Sequence, residues 1–591
     1  MKSLIVFAIG AAFSMGLATA QEPPQTPVIL ISIDTLRADH LSVYGYRKIR
    51  TPNIDSFAQQ GTVFTSVNSQ IPLTLPSHFS LFTSTYPFEN GIEENAEIVP
   101  SNAVTLASVL RSHGYKTAAF IGSSMLDRHF GVDNGFEEYD SPFSSPPGSQ
   151  ANPYSVRVRR DGAIVLRAAN QWLGAHRNQP VFVFIHLFDL HTPYKLAPAR
   201  GSGEPEITGY DAEIKYIDQL LGHFRQSLVQ TEWWRKALVV LLADHGESLG
   251  DHGEFSHGYF IYESTLHVPL IVHWPDGAPK HPERVREPAG LIDVAPTILD
   301  ALHLPAPVSF DGVSLLKQNG THAVYSESVY ARDTFHWAAL RSLRMANWKY
   351  IDAPRAELFD LEKDPAEQSN LVRAKPAEAS ALRSELSRLM SRYAHQQQAP
   401  IRDSSSRTRA ALESLGYLAG GRAAASLRRL PDPKDRLPEY QMFDRALDAM
   451  YSQRLDAAII GLRRILQRDP DNLPARGTLG DAYLRAGKSG KAVEEWTTAL
   501  AADPKYASVA QALGELYMGR QDWTKARPYL RQALAAAPGD ATIAFELSVV
   551  ERKLGLFKDA QEHLRTFCAA SPSDACKDEL RQLEQGAKTA R

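Results

Sequence analysis

Three short stretches of this chain, each preceded by an apolar run, carry residue types able to do chemistry. Val28–Ile33 runs into Asp34, Val181–His186 leads to Asp189 and His191, and Ala237–Ala243 runs into Asp244 and His245. Continuous apolar runs of this length suit strands covered on both faces. In open α/β sheets ligands bind beyond the carboxyl ends of the strands. Carboxylates and imidazoles delivered there have the character of metal ligands. Any one of them is equally well explained as a turn or cap residue; three together point to a site.

A fourth element offers a nucleophile. Thr74-Leu75-Pro76-Ser77-His78 precedes Phe79–Thr83, a run that can be helical. Pro76 suits a first helical turn, which places the Thr74 hydroxyl at a helix N-terminus. Free N–H groups and the helix dipole favour an alkoxide or an anionic ester there. Threonine alone is a poor nucleophile, and a divalent ion on its oxygen would lower its pKa enough for attack. Without such an ion Thr74 would be no more than a cap.

These residues need a scaffold, and residues 26–395 supply its pattern. A further apolar run, Val268–His273, joins the three above. Thr51-Pro52 opens a helix that Gly61 closes, and another is expected from about Ser101 to His113, stopped by Gly114. Strand–helix alternation predicts an α/β fold, a mainly parallel sheet sandwiched by helices. Residues 396–432 carry Ser404-Ser405-Ser406 and Gly420-Gly421 and have the composition of a linker. Beyond it Pro470, Pro504, Pro538 and Pro572 recur with one spacing, and Ala458, Ala492, Ala526 and Ala560 keep the same step. A period of about 34 residues resembles tetratricopeptide repeats, so residues 433–585 are expected to form an all-α solenoid of three to four repeats.

The N-terminus has the pattern of an address. Lys2, an apolar run from Leu4 to Leu17 and Ala18-Thr19-Ala20 make a secretory signal peptide over residues 1–20, cleaved after Ala20. The competing possibility is an uncleaved anchor. Gln21 stands where a lipoprotein needs cysteine. No later segment has eighteen consecutive apolar residues, so no stable membrane span is expected after cleavage, and the destination is periplasmic or secreted. With 43% apolar and 22% charged residues the chain is not disordered, and a net charge of −3 excludes a general nucleic-acid binder. Only Cys568 and Cys576 occur, which excludes a disulfide scaffold and a cysteine zinc cluster. In an oxidising space they could pair; a free buried pair is equally open.

Ile31–Tyr46, Thr74–Ser84, His186–Tyr194, Ala243–Gly253 and Val268–Trp274, in that order, resemble the sulfatase family of the alkaline phosphatase superfamily. The likeness extends through Glu357–Leu371, a typical C-terminal segment of that family, and the repeat half resembles tetratricopeptide modules appended to some bacterial members. The resemblance implies an alkaline phosphatase-like catalytic fold. It assigns Asp34, Thr74, Asp244 and His245 to metal ligation, with Thr74 also the nucleophile. His191 matches the histidine that binds the ester or protonates its leaving group. His257 falls where many members place a lysine on the substrate anion, and Asn95 lies near a position that contacts it. His78 replaces the arginine of Pro-Ser-Arg and is placed with Asn95 on the substrate side.

The departures bear on the chemistry. Sulfatases carry cysteine or serine at the Thr74 position, matured to formylglycine; threonine cannot be matured that way, so no formylglycine is expected. Thr35 replaces the second aspartate of the usual metal pair, and the lysine expected near Ser123 is missing. The remaining set looks like that of phosphoethanolamine and glycerophosphate transferases, whose threonine forms a phospho-intermediate. The expected activity is therefore a secreted metal-dependent hydrolase or transferase cleaving a phosphate or sulfate ester through Thr74, phosphoryl chemistry favoured. One divalent ion is expected, and oxygen-plus-imidazole ligands permit Zn, Mn, Mg or Ca. Two other readings stand beside it. One is a two-metal phosphodiesterase using Asp189, His191 and His257; the other is a silent adaptor whose repeat groove binds a protein or peptide. The repeats could equally be structural.

Overall fold

The computed structural model describes residues 26–95, 97–143, 159–192, 194–196, 209–317, 322–393, 402–403, 430–538, 540–570 and 574–589. The expected signal peptide and nearly all of the expected linker lie outside these residues.

The strands are β1 (Val28–Ile33), β2 (Gly61–Asn68), β3 (Glu97–Ile98), β4 (Lys116–Phe120), β5 (Glu138–Asp140), β6 (Val181–Leu187), β7 (Leu238–Leu242), β8 (His267–His273), β9 (Arg284–Val285) and β10 (Ala289–Gly290). After them come β11 (Ala323–Ser328), β12 (Leu340–Met345), β13 (Trp348–Asp352), β14 (Glu357–Asp360) and β15 (Arg402–Asp403). A nine-stranded sheet runs β10-β2-β8-β7-β1-β6-β4-β5, with β9 on β2. It is mainly parallel; β8 alone runs antiparallel to its neighbours β2 and β7. The apolar run Val268–His273 is thus a strand, but one returning against the sheet.

β1 lies at the centre, paired in parallel with β6 on one side and β7 on the other. All six of its side chains are buried, each apolar one contributing about 1.5–3 kcal/mol. Because parallel strands end on the same edge, Asp34, His186 and Asp244 are delivered side by side. Ser32 lies opposite both His186 and Leu242.

One helix start differs from expectation, and another stands where expected without a side-chain cap. The helix expected from Ser101 begins at Leu106, because Thr105 and Ser108 form a reciprocal capping box. Thr51 precedes the helix Pro52–Ala58 without capping it; its hydroxyl is engaged by Ser42 and Asp55 instead.

Strands β11–β14 form a separate antiparallel sheet, order β11-β12-β13-β14, covered by the helix Pro376–Tyr393. From Leu437 to Ala570 eight helices stack as antiparallel pairs, and a further helix, Asp574–Thr589, follows. Glycines lie where helices cross: Gly480 faces Trp496 and Gly514, at the equivalent place one repeat on, faces Leu530 so closely that a Cβ would collide. Cys568 and Cys576 form a disulfide between the last two helices. One apolar cluster runs without a break from Tyr259–Leu266 and Tyr330–Leu340 into the solenoid, so the two halves share a core.

Candidate active site

Asp34 follows β1, and its backbone N–H bonds the Leu187 carbonyl on β6. Thr35 then adopts a left-handed conformation, φ 58°, strained for a β-branched residue by about 1–2 kcal/mol. Three contacts hold it there. Its N–H donates to Asp244 Oδ1 at 3.3 Å, its carbonyl accepts from the Tyr210 hydroxyl at 2.6 Å, and that hydroxyl accepts the Arg37 N–H. The strain turns the chain end so that β1 and β7 present carboxylates to each other.

Thr74 is the first residue of the fully buried helix Thr74–Thr83. Its hydroxyl donates to Asp34 Oδ2 at 3.2 Å. The Ser77 hydroxyl donates to the Asp244 carbonyl at 2.7 Å, which pins the first helical turn to the end of β7. Asn95 Oδ1 accepts the Leu75 N–H at 2.9 Å, while its Nδ2 is buried without a partner. The nucleophile candidate thus sits at a helix start where the Leu75 N–H is met by the Asn95 amide and the Thr74 hydroxyl by the Asp34 carboxylate.

Asp34, Asp244 and His245 are fully buried, and one ligand atom from each falls within 4.8 Å of the others. Asp34 Oδ1, Asp244 Oδ2 and His245 Nε2 are buried without a hydrogen-bond partner. Left so, each would cost about 1–3 kcal/mol or more; a divalent cation would satisfy all three. The residues present therefore fit a metal ion, which Asp34, Asp244, His245 and the Thr74 oxygen would hold. Burial raises Asp34, and burial with the Asp34 charge raises Asp244 well above its ordinary value, while burial holds His245 down to about 3 and so keeps its ring neutral.

His191 and His257 converge on this group. Their rings are 5.0 Å apart, and His257 lies 4.4 Å from His245. Burial, followed by His257, holds His191 well below the usual histidine range. Its Nδ1 donates to the Thr192 carbonyl at 2.7 Å. His257 Nδ1 lies 3.1 Å from Glu247 Oε1, which fixes its ring; burial lowers it to about 4.

Three residues extend or correct the set expected from sequence. His78 was expected against substrate, yet both its ring nitrogens face protein. Nδ1 donates to the Thr74 carbonyl at 2.7 Å and Nε2 meets Ser32 Oγ at 2.9 Å. It stands behind Thr74, as a support. His186 was overlooked inside an apolar run, but its Nε2 lies 3.3 Å from Asp34 Oδ2. Arg159 was also overlooked; its guanidinium bonds the His191 and Thr192 carbonyls and lowers Asp34 electrostatically. It brings positive charge to a site that lacks the expected lysine near Ser123. No sequence signal marks Arg159, which sits in an arginine-rich stretch without strand or helix pattern.

The second-metal arrangement is not assembled. Asp189 Oδ1 accepts the Gly162 N–H at the start of the helix Gly162–Ala175. Asp189, His191 and His257 do not form a metal-binding group among the described residues.

Residues 26–304 match the family profile Sulfatase, and residues 250–396 match that of the C-terminal region of N-sulphoglucosamine sulphohydrolase. Residues 26–396 form a sulfatase-family domain. Residues 449–516 and 512–575 match tetratricopeptide repeats. The chain is 24% identical over an alignment of 440 residues to arylsulfatase K of Bos taurus, covering 61% of this chain and 81% of that protein. It is also 24% identical over 433 residues to a Δ4,5-hexuronate-2-O-sulfatase of Bacteroides thetaiotaomicron, covering 62% and 88%. Among solved structures, the phosphonate monoester hydrolase of Agrobacterium radiobacter superposes with a TM-score of 0.50 at 21% identity, covering 62% of this chain and 96% of that one. A structure in complex with its substrate D-glucosamine-2-N,6-O-disulfate superposes at 0.52 and 19% identity, covering 62% and 98%. The sulfatase domain is an ester hydrolase of the alkaline phosphatase superfamily, joined here to a tetratricopeptide solenoid.

Proposed function

We propose that the sulfatase domain cleaves an anionic phosphorus ester, a phosphate or phosphonate, with Thr74 as nucleophile and one divalent ion held by Asp34, Thr74, Asp244 and His245. One observation carries this reading: an unmodified threonine hydroxyl sits at a helix N-terminus, hydrogen-bonded to Asp34, at the position where sulfatases mature cysteine or serine. The only two cysteines are paired in the solenoid, and position 74 carries neither the cysteine nor the serine from which sulfatases make formylglycine. The ion, when bound, supplies positive charge that acidifies the threonine and screens the ester's oxygens.

The chain's own residues perform the rest. Thr74 Oγ1 attacks phosphorus, forming an O–P bond as the bond to the departing alcohol oxygen breaks. The hydroxyl proton leaves along its hydrogen bond to Asp34. The departing oxygen takes a proton at His191, whose imidazolium forms only once the ester's negative charge offsets the burial that otherwise keeps the ring neutral. Water, or an acceptor alcohol, then attacks phosphorus, gives its proton to His191, and Thr74 leaves with its own proton restored. His257, Asn95 Nδ2 and Arg159 supply donors and positive charge for the anion.

Secretion to an oxidising compartment is part of the same proposal. It is supported by the signal-like N-terminus and by the disulfide. No helix among the described residues is long and apolar enough to cross a membrane. The deciding experiment is elemental analysis followed by paired aryl phosphate, phosphodiester, phosphonate and sulfate esters. Preference for a phosphorus ester, with a phosphoryl adduct trapped on Thr74, is expected. A sulfate ester turned over far faster than all phosphorus esters would overturn it.

A further inference from the structure

The loop that carries His257 is held from outside the sulfatase domain. It leaves β7 through His245 and Glu247 and closes on itself where the Glu254 carboxylate accepts the N–H groups of Tyr259 and Phe260, at 2.9 and 3.1 Å. At one end Gln441 Nε2 donates to the Gly253 carbonyl at 2.6 Å. At the other Tyr440 stacks on Tyr259, centroids 4.0 Å apart and planes 8° apart, and the Tyr259 hydroxyl donates to the Pro433 carbonyl at 2.6 Å. His257 lies between these two anchors.

Gln441 and Tyr440 belong to the first solenoid helix, Leu437–Tyr451, and Pro433 to the single turn just before it. Its approach requires glycine at 253: φ there is 81°, and a Cβ would stand 2.7 Å from Leu437 Cδ2. The helix and the turn that leads into it are keyed to the sulfatase domain elsewhere as well. Phe443 meets Phe335 edge-on at 5.2 Å, the Asp432 carboxylate accepts the Arg355 N–H at 2.9 Å, and Asp435 pairs with the Arg355 guanidinium at 2.7 Å. A loop bonded at two points to one rigid helix has few ways to move without it.

We infer that this solenoid helix is part of the active site, with Tyr440 and Gln441 acting as positioning residues that hold the Gly253–Tyr259 loop and thereby aim His257 at the ester. The inference rests on the reading of His257 as a substrate-anion contact. A misplacement of about 1 Å at such a contact costs up to about a hundredfold. The repeats are on this account a lever on substrate binding.

The test uses the full-length, metal-loaded chain and the best aryl ester from the panel above. Tyr440→Ala, Tyr440→Phe and Gln441→Ala are measured for kcat and KM, each also in a His257→Ala background. Tyr440→Phe keeps the stacked ring and should match the parent. Tyr440→Ala and Gln441→Ala should raise KM about tenfold or more, and should add nothing once His257 is already alanine. If Tyr440→Ala does not fold, Gln441→Ala, a half-buried side chain at the edge of the joint, carries the test. Equal losses in both backgrounds would show a merely structural role and overturn the inference. So would an unchanged KM in Gln441→Ala. Parent-like kinetics in His257→Ala would instead remove the His257 reading, and the inference with it.

Discussion

Thr74 on its helix and Asp34 at the end of β1 meet across 3.2 Å, hydroxyl to carboxylate, with neither exposed to solvent. That contact gives the hydroxyl a proton acceptor before any substrate arrives. Thr74→Ala removes the attacking oxygen and should lower kcat by about a thousandfold or more, while the helix, held by Ser77 and Asn95, stays in place. Thr74→Ser keeps the oxygen and should retain measurable turnover. Steady-state kinetics with circular dichroism check both; near-parental activity in Thr74→Ala would remove the nucleophile.

His186 should matter for the metal more than for the fold. Its Nε2 lies 3.3 Å from Asp34 Oδ2, and its ring is fully buried between β1 and the His78 ring. A residue that orients a ligating carboxylate typically changes metal affinity about 10–100-fold. His186→Asn is therefore expected to weaken metal binding by that factor in a competition titration against a chromogenic chelator. An affinity equal to the parent's would show that Asp34 is oriented without it.

Metal removal should make stability depend on pH in a defined direction. Burial raises Asp34 and Asp244, so the chelated fold keeps a proton there that the unfolded chain has already lost. Stability of the chelated form then falls as pH rises toward the raised pKa. Buried His245 and His257 are lowered to about 3 and 4, so they act oppositely, but only below their ordinary value of 6.5. Above pH 6.5 these histidines no longer contribute, and the raised Asp34 and Asp244 set the difference between the chelated and the loaded protein. The gap in Tm between loaded and chelated protein should therefore widen with pH, and at a thousandfold excess over Kd the ion should add about 4 kcal/mol. A gap that narrows over this range would contradict the ligand set.

The strand ends were legible because a buried parallel strand announces itself as an apolar run with a polar residue after it. β1 runs over the residues expected, and Asp34 and Asp244 follow from it and β7 directly. His186 escaped because one imidazole in VFVFIHL looks like part of the core; only the register placing it opposite Ser32 shows that it faces Asp34. His78 carried a motif position but not its orientation, which the Ser32 hydroxyl and the Thr74 carbonyl decide. The joint between Tyr259 and Tyr440 has no local signature, since neither ring's sequence neighbours specify a partner so far along the chain. The repeat period was plain, and what it could not convey was that its first helix packs on the loop that carries His257.

Asn95 offers the sharpest separation of binding from folding. Its Oδ1 accepts the Leu75 N–H at 2.9 Å, and its Nδ2 is buried with no partner beside the first turn of the Thr74 helix. Asn95→Asp keeps the acceptor that holds the helix start but exchanges the unpaired donor for a carboxylate oxygen. An anionic ester would then meet repulsion where it had met an N–H, which should lower kcat/KM by about a hundredfold with little change in Tm. Asn95→Ala loses both functions and should lower kcat/KM and also Tm, since the Leu75 N–H is left buried and unpaired at a cost of about 1–3 kcal/mol. Kinetics paired with thermal melts of the two variants distinguish the roles. If Asn95→Asp binds the ester as well as the parent does, Nδ2 does not face substrate and Asn95 is only the cap of the Thr74 helix.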